Sequence, residues 1–305
     1  DVIGKLTWHD LIAKLTCGNC SCGSGSPICP QGELEACQPP SSAPAQRSPR
    51  RDPQRSKGLP DGSVYTGQCV DGEPDGDGSR ALPSGEKYRG QFKAGLAEGQ
   101  GTCEYPCGDV YVGSWVRESA HGEGICWYAA GLVYKGQWED GQHHGEGDLT
   151  HKDGSTYAGQ FKRGVKCGKG ILRFPHGTFS QARCASYYQG EFEADSYRGH
   201  GTYTWGDGRW YSGQWADGLM QGEGVLAYAD GRMYSGQHVA NKKSGRGTFQ
   251  WPQRGKYEGE FRDGRQHGVG VFTPLDSSST LKYGMWEKGR LVQDSRHTPQ
   301  GDFTL

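Results

Sequence analysis

Large aliphatic side chains are scarce in these 305 residues. Leu, Ile, Val and Phe together make up about 14 % of the chain, below the ~20 % at which a highly charged chain reads as disordered. That scarcity excludes a thick core packed from two sides. No run of 18 apolar residues occurs, so no transmembrane helix is expected. An excess of one charge is also missing. Lys and Arg number 34 against 35 Asp and Glu, for a net charge of −1, and so balanced a chain has no general attraction to nucleic acid. Catalytic signatures are missing too: there is no G-x-x-x-x-G-K-[ST] phosphate loop and no G-x-S-x-G elbow. The carboxylates are scattered, with no isolated pair for acid–base work. What the chain does have is 52 glycines and 11 % aromatic residues. Disordered chains are usually charged and poor in aromatics, so this composition predicts a thin structure built from rings and glycines.

The sequence repeats every 23 residues from Tyr65, through Tyr88, Tyr111, Tyr134 and Tyr157. After a longer step it resumes at Tyr188, Tyr211, Tyr234 and Tyr257. A fixed period of this size is the signature of a repeat architecture. Two positions after each Tyr stands Gly, from Gly67 to Gly259, and two further on there is usually an aromatic ring, as in Phe92, Trp115, Trp138 and Trp215. Cys69 and His238 depart from this. Each unit then carries a glycine pair such as Gly76/Gly78, Gly122/Gly124 or Gly222/Gly224. A partial tenth unit runs from Lys282 to Gly289.

Residues spaced by two share one face of a β-strand. Tyr, Gly and Trp/Phe therefore mark one face, and the intervening Glu123, Ile125, Glu223 and Val225 mark the other, read as mostly solvated. Asp71-Gly72, Asp140-Gly141, Asp217-Gly218 and Asp263-Gly264 predict tight hairpin turns after the first strand of a unit, and Asp153-Gly154, Asp207-Gly208 and Asp230-Gly231 predict turns after the second. The glycines let a ring lie across the neighbouring backbone, because Gly has no Cβ in the way. Cys103 and Cys126 fall in the inward apolar slot and are expected to be small core residues.

The pattern Y-x-G-x-[WF]-x-x-G-x-x-x-G-x-G at a 23-residue period resembles the MORN repeat (membrane occupation and recognition nexus), over residues 61–290. The resemblance implies an all-β fold: an elongated single-layer antiparallel β-meander of about nine to ten hairpin repeats. At ~4.7 Å per strand, about twenty strands would span roughly 90 Å. Cys69 weakens the first unit, Asn241 replaces a turn glycine, and the insertion at 179–187 is expected to be a bulge or loop. Some proteins with this repeat append an enzyme domain. Residues 291–305, read as a C-terminal tail, are too few to hold one.

Residues 1–60 lack the repeat. Trp8, Leu11, Ile12 and Leu15 form a helical stripe, so 1–16 is expected to be an amphipathic helical segment. Residues 17–37 are Cys-rich. Cys17, Cys20, Cys22 and Cys29 are candidate ligands for zinc or an iron–sulfur cluster, although a second paired C-x-x-C is missing. Disulfides, acylation and inert thiols are the alternatives. Residues 38–60 are rich in Pro, Ser and Arg and read as a linker.

This reading leads to a non-enzymatic scaffold or structural subunit of a large assembly of cilium or cytoskeleton type, without cofactor, whose partners are other protein subunits. Tyr88, Trp115, Trp138, Tyr211 and Trp215 are the aromatics expected to hold the sheet and in part to contact partners. A membrane-apposed adaptor is the alternative, with Lys162, Arg163, Lys166 and Lys169 meeting an acidic lipid surface. A third reading is a metal- or redox-responsive regulator acting through the N-terminal cysteines. Open sheet edges predict an end-to-end homodimer. The expected location is cytoplasmic, at cytoskeleton or cilium. Because the chain starts at Asp1, a subunit of an organellar complex is a further expectation.

Overall fold

The computed structural model describes residues 51–175, 185–276 and 281–295. The expected N-terminal helix, the cysteines of 17–37 and most of the insertion at 179–187 lie outside these residues. The rest is one sheet of twenty-one antiparallel strands, β1 to β21 in chain order, in which every strand pairs with the next. No crossover connection occurs among them.

One unit shows how the sequence builds the sheet. β6 (Val110–Val116) and β7 (Ser119–Trp127) pair with Tyr111 opposite Cys126 and Gly113 opposite Gly124. The turn between them has two residues, Arg117 and Glu118, both with positive φ, at 46° and 70°. Two left-handed residues make the turn whose twist matches paired strands. In most units the second of these residues is glycine, as in Asp71-Gly72 and Asp140-Gly141. Glu118, Asp195 and Asn241 are the exceptions, and each compensates in the same way. A side-chain oxygen accepts a hydrogen bond from a backbone N–H of the preceding unit: Ala97 at 2.8 Å, Lys166 at 3.0 Å and Met220 at 2.8 Å, respectively. Asn241 therefore preserves the turn it departs from in sequence.

The paired glycines are required by close approach. A Cβ on Gly113 would lie 2.5 Å from the Gly124 Cα, and one on Gly124 would strike the Tyr111 ring. The Tyr111 hydroxyl crosses the strand to donate to the Ser114 carbonyl at 2.9 Å. All nine repeat tyrosines donate in this way to the carbonyl three residues on, at 2.6–3.1 Å.

Between these tyrosines sit the Trp and Phe rings. Each of these rings, and His238 in one slot, meets a tyrosine on either side edge to face, save Trp286 at the end, which meets Tyr257 alone, with centroids 4.9–5.4 Å apart. The row is unbroken from Tyr65 to Trp286. Edge-to-face pairs add roughly 0.5–1.5 kcal/mol each beyond the area they bury. This row is the core of the single layer, and it explains how a chain poor in aliphatics packs.

The sheet is longer than the repeat pattern at both ends. β1 (Arg51–Gly58) lies within the segment read as a linker and pairs with β2 (Val64–Val70). The turn at Leu59–Ser63 reverses the chain, with Leu59 N–H donating to the Ser63 carbonyl at 2.8 Å. An open strand edge offers unpaired N–H and C=O groups, so backbone pairing recruits residues that carry no strand pattern. At the other end, β20 (Lys282–Glu287) pairs with β21 (Arg290–Asp294), which takes the first residues of the expected tail.

Candidate interaction surface

The five aromatics singled out in the sequence are inside the sheet's own core. Tyr88, Trp115, Trp138, Tyr211 and Trp215 are all at most 6 % exposed. The indole N–H of each Trp is spent on a glycine carbonyl: Gly101 at 3.2 Å for Trp115, Gly124 at 3.2 Å for Trp138 and Gly201 at 3.0 Å for Trp215. Burial pushes the Tyr211 phenol up to about 12 and the Tyr88 phenol higher still. With both ring faces and the polar atoms occupied, these residues hold the sheet and present nothing to a partner.

The four basic residues expected to meet lipid are not brought together on one face. Lys162 ends its strand, and Arg163 is the left-handed first residue of the next turn. Lys166 lies on the aromatic face, 5.6 Å from the Tyr157 ring centre and 3.5 Å from Asp195. Lys169 lies on the opposite face. A coherent cationic patch requires neighbours on one side, and strand alternation separates these.

The remaining candidates divide in the same manner. Cys103 and Cys126 are buried as expected, and burial pushes their thiols up to about 12 and about 11, so both stay protonated and inert. His121, His144 and His267 each precede a left-handed bulge glycine within the second strand of their units. His143 stacks on Tyr134 at 3.6 Å and shares a 2.8 Å hydrogen bond with the Tyr128 hydroxyl, while His144 lies 2.8 Å from Glu139. The two imidazoles thus have separate partners. Among the described residues no three His, Cys, Asp or Glu side chains are placed to hold a metal, and no helix is long and apolar enough to cross a membrane. The candidate cysteines at 17, 20, 22 and 29 lie outside those residues.

The open space is on the face the sequence pattern treats as solvated. A groove of about 1040 Å³ runs across β7 to β13 (Ser196–Thr204), and a second of about 570 Å³ continues it from His200 to Ser235. Its floor is backbone of the paired glycines, such as Gly147, Gly159, Gly170 and Gly190. One wall is the row that includes Asp148, Ala158, Ile171 and Thr202. The other wall includes Glu123, Glu146, Lys169 and His200. Five carboxylates line the two stretches against two lysines.

A recurring residue that the repeat pattern left unassigned shapes that second wall. Six of the nine units have Gln directly after the first glycine, at 68, 91, 137, 160, 214 and 237. Its side-chain oxygen accepts from the N–H that follows the bulge glycine, as in Gln100 N–H to Gln91 at 2.8 Å and Glu146 N–H to Gln137 at 3.1 Å. The bulge glycine is left-handed in every unit, and a Cβ there would collide with the side chain at this position, Gln in six units and Glu191 or Glu260 in two, in all but the Ser114 unit. The signal was visible as a periodic Gln. Its meaning needed the bulge, which is a pairing irregularity between two strands.

The MORN-repeat family pattern matches residues 88–110, 111–133, 134–156, 157–179, 188–208, 211–231, 234–256 and 257–273, more than half of the chain. No curated protein matches it. Among solved structures, a point mutant of the TCP10 domain of Danio rerio CPAP is similar at 11 % identity and a TM-score of 0.37, over 68 % of this chain and 93 % of that one. The SAS-4 TCP domain of Drosophila melanogaster, solved with a proline-rich motif of Ana2, is 14 % identical at a TM-score of 0.25, over 71 % and 97 %. A streptogramin B lyase is 12 % identical at a TM-score of 0.16, over 79 % and 85 %.

Proposed function

The chain belongs to the MORN-repeat family, and from that premise we propose that it is a non-enzymatic scaffold, a structural subunit that docks other proteins along its repeat sheet. The observation that carries this reading is the division of labour between the two faces. The repeat Tyr, Trp and Phe rings, with His238, form an unbroken internal row from Tyr65 to Trp286 that stiffens the sheet, while the opposite face carries a long open groove. A repeat sheet of this kind provides an extended surface whose binding positions recur at a fixed interval.

The setting we propose is a large assembly of cilium or cytoskeleton type, with a subunit of an organellar complex as the alternative location. The outer edges of β1 and β21 have no strand partner among the described residues, which favours end-to-end pairing of two copies. The membrane-apposed reading has less support, because Lys166 and Lys169 lie on different faces.

Cross-linking mass spectrometry of the native complex tests the proposal. Stoichiometric links from one or a few partner proteins to the repeat sheet are the expected result. Links only between copies of this chain would overturn it. Co-sedimentation with acidic vesicles at low salt, lost at high salt, would favour the membrane reading instead.

A further inference from the structure

The groove has a repeating chemistry as well as a volume. Position twelve after each repeat tyrosine projects into one wall, once per unit. Along β7, β9 (Gln142–Thr150), β11 (Val165–Arg173) and β13 that position holds Glu123, Glu146, Lys169 and His200. Asp148 faces Glu146 from the other wall. Among the described residues no hydrogen bond or ion pair to a side chain engages the Glu123 or Glu146 carboxylate. One end of the groove is therefore net anionic, with Lys135 beside Asp148 on the other wall, and in the next unit inward Lys169 is paired in register with Glu191.

The interval between those positions is two strands, roughly 9.5 Å at ~4.7–4.9 Å per strand. A polyproline II segment rises ~3.1 Å per residue with three residues per turn, so equivalent side chains recur every ~9.3 Å. One turn of such a segment matches one repeat. By contrast, a β-strand laid across the sheet would place its third residue on the wrong side, because its side chains alternate with a period of two. From β7 to β13 the groove spans about 28 Å, or nine residues of polyproline II chain.

We infer that this groove binds an extended, proline-rich polypeptide segment of a partner protein, one three-residue turn per repeat, with Arg or Lys facing Glu123 and Glu146. The inference rests on the scaffold reading and specifies the chemistry of its partner. The carboxylates disfavour nucleic acid and acidic lipid at this site, since both would bring like charge into it. The floor of glycine backbone lets the ligand chain approach closely, and a segment already extended in solution loses little entropy on docking. Charge-assisted hydrogen bonds at two successive turns set the register.

The test uses the full chain and a fluorescent nonapeptide with Arg at positions 1 and 4 and Pro elsewhere, read by anisotropy at low salt. A control peptide has the same composition with the two Arg adjacent. The first peptide is expected to bind at least tenfold more tightly than the control. The double variant Glu123→Lys, Glu146→Lys should lose at least tenfold in affinity for it. A peptide with Glu replacing both Arg should then recover tight binding to the variant. That rescue separates docking from misfolding, since an unfolded variant would bind neither peptide. Equal affinity for both spacings, absence of binding to the wild-type chain, or failure of the rescue in a variant with wild-type circular dichroism would each overturn the inference. Those results would leave the scaffold reading standing so long as partner proteins still cross-link along the sheet.

Discussion

At the scale of single residues, the fold depends on places where nothing can be added. Gly101 lies under the Tyr88 ring and a methyl group there would overlap it. Gly101→Ala is expected to destabilise the sheet by about 2–3 kcal/mol, as overpacking of a tight core does, and a lower midpoint in urea would show it. His238 is the opposite case, a tolerated misfit. It fills the slot of a Trp or Phe, meets Tyr211 and Tyr234 edge to face, and is 1 % exposed. Its Nδ1 lies 3.2 Å from the Gly236 carbonyl and its Nε2 is buried without a partner. Burial pushes the imidazole down from 6.5 to about 4, with the Lys243 charge adding to the effect and Glu223 opposing it. The folded state thus favours the neutral ring. The stability this contributes is present above pH 6.5 and is lost as pH falls toward 4, a change on the order of 3 kcal/mol. His143, also pushed down to about 4 by burial, acts in the same direction. Denaturation at pH 7.5 and pH 5 should show His238→Phe losing less stability across that interval than the wild-type chain. Equal losses would refute the assignment.

At the scale of the hairpin, the sheet depends on turns that tolerate left-handed residues. Asn241 has φ of 68°, and its side chain accepts from Met220 N–H at 2.8 Å. Asn241→Ala removes the acceptor and places an ordinary residue in a conformation that costs about 1–2 kcal/mol. Asn241→Gly removes the acceptor alone. Thermal melts should therefore rank the wild-type and Gly variants close together, with Ala clearly lower. If Ala and Gly lowered the midpoint equally, the backbone argument would fail. The hairpins were legible in the chain because Asp-Gly is a local signal. The bulge role of Gln91 and Gln137 was not, because it exists only where the pairing of two strands shifts by two residues.

At the scale of the whole sheet, each unit touches only its neighbours, so stability should accumulate unit by unit. Removing residues 134–156 takes out one complete period and leaves Tyr111 to meet Phe161 where it now meets Trp138. That deletion should give a folded chain with a somewhat lower melting temperature and a single transition. Removing twelve residues from the same place reverses every following strand and should prevent folding. Circular dichroism of the two variants separates these outcomes. Comparable folding of both would contradict the ring-by-ring core.

What the sequence determined by itself is whatever repeats within one strand or one turn. The 23-residue period, the alternation of Tyr, Gly and Trp, and the Asp-Gly turns establish an all-β meander, because each is a local consequence of backbone geometry. Pairing of Tyr65 through Tyr257 with bare glycine followed from the same spacing. The tertiary structure decided which face is free. Trp115 and Trp215 look like docking residues in a one-dimensional reading, since exposure depends on neighbours one whole unit away. Lys166 and Lys169 look like one patch because they are close in sequence, and strand alternation places them on opposite sides. Residues 51–58 carry no strand pattern, and they became β1 because an open edge of hydrogen-bonding groups lay beside them. The groove exists only where glycine backbone from successive strands comes together between two rows of side chains, a property of pairing that no single segment contains.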